Sequence, residues 1–202
     1  VLAVFVSFSL FLISSQQNLA VAQDSSQAST SFSCSMVSEI PEPECNALVD
    51  FYNSTTGASW KNHTDWLVSF TPCSWYGVTC DTGHVTMLIM EDNNLVGTLP
   101  TSIGNLSYLN FFDVAMNSLY GTIPVEIGNL SNLSTLAFLY NDFTGSIPPE
   151  LGSLTNLQSL LLDSNSLSGS IPPQIGGLTN LKRLNLGWNQ LTGAIPAELW
   201  GL

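Results

Sequence analysis

LQSLLLDSNSLSGSIPPQIGGLTN, running from Leu157 to Asn180, decides the architecture. It reads L-x-x-L-x-L-x-x-N-x-L-x-G-x-I-P-x-x-I-G-x-L-x-x. Units of the same kind start at Val85, Leu109, Leu133, Leu157 and Leu181, each 24 residues after the last. An Asn recurs at Asn93, Asn117, Asn141, Asn165 and Asn189, and a Gly at Gly97, Gly121, Gly145, Gly169 and Gly193. A Pro recurs at Pro100, Pro124, Pro148, Pro172 and Pro196. Self-similarity at one fixed period marks a stacked repeat architecture.

Each column has a physical task. The segments Leu88-Ile89-Met90, Phe112-Asp113-Val114, Leu136-Ala137-Phe138, Leu160-Leu161-Leu162 and Leu184-Asn185-Leu186 alternate inward and outward, which predicts one short strand per unit. Stacking the units sets these strands side by side as a parallel sheet. The Asn column turns inward, where its amides bond backbone groups that the turning chain leaves unpaired, so the array carries an Asn ladder. Gly permits a positive-φ turn and Pro fixes φ where no donor is needed. One unit buries too little apolar surface to offset its ordering entropy. Stacking is therefore obligatory and the ends need caps.

Composition narrows the class. Apolar residues make up 45% of the 202 residues and charged ones only 9%, the balance of an ordered chain. Fifteen acids face three bases, Lys61, Lys182 and Arg183, for a formal charge of −12. Such a surface repels phosphate backbones and anionic membranes, so nucleic acid is excluded as a partner. The first thirteen residues (VLAVFVSFSLFLI) are apolar apart from two serines, and Ala20-Val21-Ala22 follows. This layout predicts a secretory signal peptide over 1–22, with its basic start missing. A Ser/Gln-rich linker and the start of a cap follow over 23–43, the cap proper over 44–84, and five repeats over 85–202.

Export permits disulfides. Four cysteines, Cys34, Cys45, Cys73 and Cys80, allow three pairings, of which proximity favours Cys73–Cys80 and Cys34–Cys45. No C-x-x-C pair occurs and His63 and His84 lack zinc-ligand spacing, so neither a metal nor another cofactor is expected. Before the repeats, Cys45, Leu48, Val49 and Tyr52 fall at helical spacing, an amphipathic lid for the first unit. Trp60, Trp66 and Trp75 supply further apolar area.

The N-x-L-x-G-x-I-P-x-x-L-G-x-L pattern of Val85 to Leu202 resembles the plant-type leucine-rich repeat of receptor-like ectodomains and polygalacturonase-inhibiting proteins. Residues Glu44 to Asp81, ending Pro72-Cys73-Ser74-Trp75-Tyr76-Gly77-Val78-Thr79-Cys80-Asp81, resemble that family's N-terminal cap. The resemblance implies an α/β repeat: a right-handed solenoid with a parallel sheet on the concave face and short or 3-10 helical segments on the convex side. A disulfide-bonded cap and a second short sheet after the Asn turn complete it. The helix Leu48-Val49-Asp50-Phe51-Tyr52 departs from the Leu-Leu-x-Phe-Lys of land-plant receptors and is more similar to caps from algae, other protists and bacteria. The chain stops two residues short of a full fifth unit, which reads as a fragment.

In such a repeat the third, fifth, seventh and eighth positions line the concave face. Reading along them predicts a ligand-binding strip containing Phe111, Asp113, Met116, Leu139, Tyr140, Asp163, Arg183 and Trp188: apolar anchors interleaved with polar groups. Sequons at Asn53, Asn62, Asn105, Asn129 and Asn132 are candidate glycosylation sites. Catalysis lacks support. Glu91 and Asp113 sit on neighbouring units within range of a glycosidase pair, but nothing evident in the sequence desolvates them to split their pKa values. The expected function is secreted or cell-surface recognition of a protein, peptide or carbohydrate, without catalysis. A membrane would be met only through an anchor beyond Leu202. The alternatives are a secreted inhibitor of a wall-degrading hydrolase, or an ice- or matrix-binding solenoid, which would favour a regular column of one residue type.

Overall fold

The computed structural model describes residues 32–201, so the leader expected over 1–22 and the first part of the linker lie outside the described residues. The cap opens with a 3-10 turn, Cys34–Met36, followed by helix α1, Glu42–Ser54. Cys34–Cys45 ties this turn to α1, and Ile40 is buried, within the stretch expected to hold the start of the cap. Pro43 in the first turn of α1 gives up an N–H that has no helical partner there, and Glu42 and Glu44 face the positive helix end.

The expected face of α1 packs on the core, with Cys45 and Leu48 buried and Val49 and Tyr52 half-buried against it. The buried stripe extends to Ala47, Phe51 and one carboxylate, Glu44. Glu44, 3% exposed, accepts the Val85 N–H at 2.8 Å and faces His84 Nδ1 at 2.6 Å. It thereby satisfies a buried N–H at the start of the first repeat.

Strands β1 (Val78–Asp81) and β2 (His84–Ile89) form an antiparallel pair that starts the main sheet, with Cys73–Cys80 bracing the approach to it. β2 is followed in parallel by β4 (Phe111–Asp113), β6 (Thr135–Ala137), β8 (Ser159–Leu161) and β10 (Arg183–Asn185), one strand per unit. Leu88, Phe112, Leu136, Leu160 and Leu184 are in register at steps of 24. A second sheet of short parallel strands follows the Asn turns: β3 (Val96–Gly97), β5 (Ser118–Thr122), β7 (Asp142–Gly145), β9 (Ser166–Gly169) and β11 (Gln190–Leu191). Each coil closes through a 3-10 turn directly after its Pro column, such as Val125–Asn129 after Pro124.

The core is one continuous column. Trp60, Trp66 and Trp75 are buried, and each indole N–H reaches a carbonyl, those of Thr55, Tyr76 and Ser69 respectively, at 2.8–3.0 Å. Phe51 of the cap meets Phe112 edge-on at 6.3 Å, and the contact passes on to Phe138 at 5.1 Å. Backbone docking seals the cap: the Val96 and Thr98 N–H groups donate to Thr55 and Ser54 at the end of α1. Gly97 makes this approach possible, since a Cβ there would lie 1.9 Å from the Ser54 carbonyl oxygen, and its φ is +139°.

The Asn column forms the expected ladder. Asn141 Nδ2 is shared among the carbonyls of Phe138 and Leu139 in its own coil and of Val114 in the preceding one, at 2.9–3.3 Å. Its Oδ1 accepts the Leu119 N–H at 3.0 Å. Asn117, Asn165 and Asn189 repeat both halves of this pattern. Asn93, with no preceding coil, exchanges bonds with the backbone of Asn62 in the cap. Replacing Asn141 by Leu keeps volume but orphans the buried Leu119 N–H, worth about 1–3 kcal/mol, while the Val114, Phe138 and Leu139 carbonyls each keep one donor, from Asn117, Asn165 and Met116. Urea unfolding should show a loss of about 1–3 kcal/mol. Asn180→Ala, which removes only an exposed bond to the Thr155 carbonyl, should cost less than about 1 kcal/mol.

Candidate ligand-binding face

The outward columns of the main sheet come together as expected from the repeat, but not all are accessible. Met116, Tyr140, Arg183 and Trp188 are exposed, while Phe111, Asp113 and Leu139 are half-buried. Asp163 is buried, against its expected place among exposed groups, as are Ala115, Ala137 and Ser159 on the same face. Strands ~4.8 Å apart let long side chains shadow short ones. Arg183, for example, lies across the sheet with Nε donating to Ser159 Oγ at 2.9 Å.

The eighth column has a backbone feature absent from the sequence reading. Asp92, Met116, Tyr140, Ser164 and Trp188 all adopt left-handed φ, between 47° and 56°. The chain turns at this residue so that the following Asn can point inward. A left-handed conformation costs a bulky L-residue about 1–2 kcal/mol, and Gly or Asn would meet it more cheaply. Met116, Tyr140 and Trp188 thus hold large side chains outward at a position where the fold favours small or amide residues.

Electrostatically the face is acidic. Asp113 accepts the Ala115 N–H at 2.9 Å. Burial pushes its carboxyl above the ordinary value near 3.8, that N–H pulls it partly back, and the Glu91 charge raises it further. The desolvation absent from the sequence reading is therefore present at Asp113, which is half-buried between Ile89 and Ala137 of the neighbouring strands. Lys61 pairs with Asp92 at 2.5 Å, an exposed bridge of small energetic worth.

Other features are structural. The cavity of about 400 Å³ bounded by Ile171, Leu181, Leu186, Ile195 and Leu199 is the interior of the last coil, not a ligand pocket. A second Asn column escaped the sequence reading although its period was visible: Asn132, Asn156 and Asn180 each donate from Nδ2 at 2.8 Å to Ser107, Ser131 and Thr155 of the preceding coil. The Asn132 sequon thus overlaps a structural amide, and Asn62 Oδ1 is occupied by the Thr64 backbone and hydroxyl. Asn53, Asn105 and Asn129 are exposed, the last two ending 3-10 turns away from the main sheet. Among the described residues no three His, Cys, Asp or Glu side chains converge as a metal site. Nor is any helix long and apolar enough to cross a membrane.

Comparison with known proteins places this geometry. The Leucine rich repeat N-terminal domain matches residues 41–81, and the Leucine Rich Repeat matches 84–106, 156–178 and 180–202, together more than half of the chain. The chain belongs to the plant-type leucine-rich-repeat family. A solved chain of the BIR3–SERK2 complex from Arabidopsis thaliana is 34% identical, with a TM-score of 0.67 over 76% of this chain and 85% of that one. The ectodomain of the receptor kinase GASSHO1/SCHENGEN3 from the same plant, solved with CASPARIAN STRIP INTEGRITY FACTOR 2, is 36% identical. That match has a TM-score of 0.68 and covers 77% of this leucine-rich-repeat chain and 19% of the ectodomain. Receptor-like protein 36 of Arabidopsis thaliana is 42% identical over 52 residues, 26% of this chain and 7% of that protein. This family of repeat ectodomains consists of binding modules, and the chain is not an enzyme.

The raised Asp113 carboxyl gives a pH test. Folding takes up a proton between the ordinary and the raised value, so this residue's contribution to stability falls as pH rises through that window and stays low above it. Asp113→Asn should gain stability relative to the wild type at pH 7, and the gain should vanish by pH ~2.5, where both states are protonated. Parallel urea titrations at the two pH values measure it.

Proposed function

We propose that the chain is an extracellular recognition module, secreted or held at a cell surface, that binds a protein or peptide on the concave face of its main sheet. Its apolar anchors are Met116, Tyr140 and Trp188, with Phe111 and Leu139 between them and Asp113 and Arg183 as polar contacts; the buried Asp163 is not part of it. The eighth column carries this reading: three bulky side chains accept a left-handed backbone and stay exposed where the fold gains nothing from their size. Large rigid anchors ringed by polar groups are the usual source of interface energy. Two similar ectodomain structures support it, one a complex of two proteins and the other a complex with a named factor. The irregular run Asp92, Met116, Tyr140, Ser164, Trp188 offers no uniform lattice, which weighs against ice or matrix as the ligand. Exposed Asn105 and Asn129 lie where glycans would leave the concave face free.

The immobilised chain should capture a partner from a secreted-protein pool, and Tyr140→Ala with Trp188→Ala should reduce that capture tenfold or more. Circular dichroism should stay unchanged. Tyr140→Asn should lose capture without lowering the melting temperature, because it relieves the left-handed strain. Undiminished capture by the folded double variant would remove the concave face from the account.

A further inference from the structure

The second Asn column breaks at its cap end. Counting back from Asn180, Asn156 and Asn132, the next member is Tyr108, and the one before it is His84. Each of the three Asn residues spends its Nδ2 on a carbonyl of the preceding coil, and a tyrosine has no amide with which to repeat that bond. Tyr108 instead lies flat on His84, with ring centroids 3.6 Å apart and planes 10° from parallel. His84 is itself held by Glu44 at 2.6 Å. Tyr108 nevertheless stays 46% exposed. A ring fixed against its neighbour and still open to solvent is a platform.

That ring lines a groove of about 450 Å³ along the edge where the main-sheet strands begin, from the β1–β2 turn to the coil of β8. Tyr108 is its one aromatic residue, and every other lining side chain is a hydroxyl, a carboxamide or a carboxylate. These groups are held in place. Ser134 Oγ donates to Asn110 Oδ1 at 2.9 Å, Asn110 Nδ2 to the Asn132 carbonyl at 3.2 Å, and Lys182 Nζ to Gln158 Oε1 at 3.0 Å. With their nitrogens committed to the preceding coil, Asn132 and Asn156 keep Oδ1 as an acceptor, and Gln158 keeps Nε2 as a donor. The groove thus offers both donors and acceptors, with little side-chain freedom left to lose on binding.

We propose that this groove binds a neutral oligosaccharide, Tyr108 stacking on one sugar ring while Asn132, Asn156 and Gln158 pair with hydroxyls. A pyranose has an apolar C–H face that an aromatic ring can cover. Its rim carries hydroxyls that each donate and accept. A peptide finds no apolar pocket here. The coil-to-coil bonds from the Asn110, Ser134 and Gln158 N–H groups leave it no strand edge to extend. An acidic glycan is disfavoured, since Asp81 lines one end, Lys182 is engaged by Gln158, and the net charge is −12. Three coil steps of ~4.8 Å give the groove the span of a short oligosaccharide. The groove is separate from the strip of Met116, Tyr140 and Trp188, and neither reading depends on the other.

Affinity electrophoresis of the full chain through gels containing xyloglucan, glucomannan, arabinoxylan or laminarin tests the proposal, with polygalacturonate as the acidic comparison. At least one neutral polysaccharide should retard the chain, and polygalacturonate should not. Tyr108→Asn installs the residue the column carries elsewhere, so its melting curve should match the wild type while retardation weakens tenfold or more. Gln158→Ala, at the far end of the groove, should weaken it severalfold. Tyr120→Ala, which removes a similarly exposed tyrosine from the second sheet, should change it less than twofold. The proposal is overturned by no retardation in any neutral gel, by equal retardation in polygalacturonate, or by wild-type retardation of either folded groove variant. Equal loss in Tyr120→Ala also overturns it, as does a glycan found by mass spectrometry on Asn132, which would fill the groove.

Discussion

The amide of the inward-facing Asn holds successive coils together at the point where the sheet ends and the chain must turn. Each one donates to carbonyls of its own coil and of the preceding coil, and accepts an N–H from the strand of the second sheet in that preceding coil. No apolar residue could do this, because the groups to be satisfied are backbone donors and acceptors sealed from water. The ladder therefore fixes both the stacking register and the corner between the two sheets. The apolar columns then close around a geometry that the amides set.

The same constraint creates the candidate site. Turning the Asn inward forces the residue before it into a left-handed conformation, and its side chain then projects from the concave face. The fold thus offers one protruding position per coil at fixed spacing, and what occupies it decides recognition. Here the occupants are an acid, a thioether, two aromatics and a serine, which gives a varied surface.

The period of 24, the strand segments, the Asn ladder and both disulfides were legible in the sequence because each depends on local residue types at fixed spacing. The right-handed solenoid and the second sheet came through family resemblance. What escaped depends on neighbours in space. The burial of Glu44 escaped because a residue polar by type is drawn inside by the Val85 N–H and His84. The burial of Asp163 and Asp113 was missed because shadowing between columns depends on side-chain lengths in adjacent coils. The left-handed eighth column was missed because Met, Tyr and Trp, unlike Gly or Asn, give no signal of left-handed φ.

The central claim is that the ladder amides tie the stack together. Native-state hydrogen exchange of the Leu95, Leu119, Phe143 and Leu167 N–H groups, each of which donates to an Asn Oδ1 of the next coil, addresses it directly. The account predicts that these four amides exchange only through global unfolding, with opening free energies close to the stability measured by urea. Exchange at the rates of surface turns would show that the coils open there without unfolding, and would contradict the ladder's role.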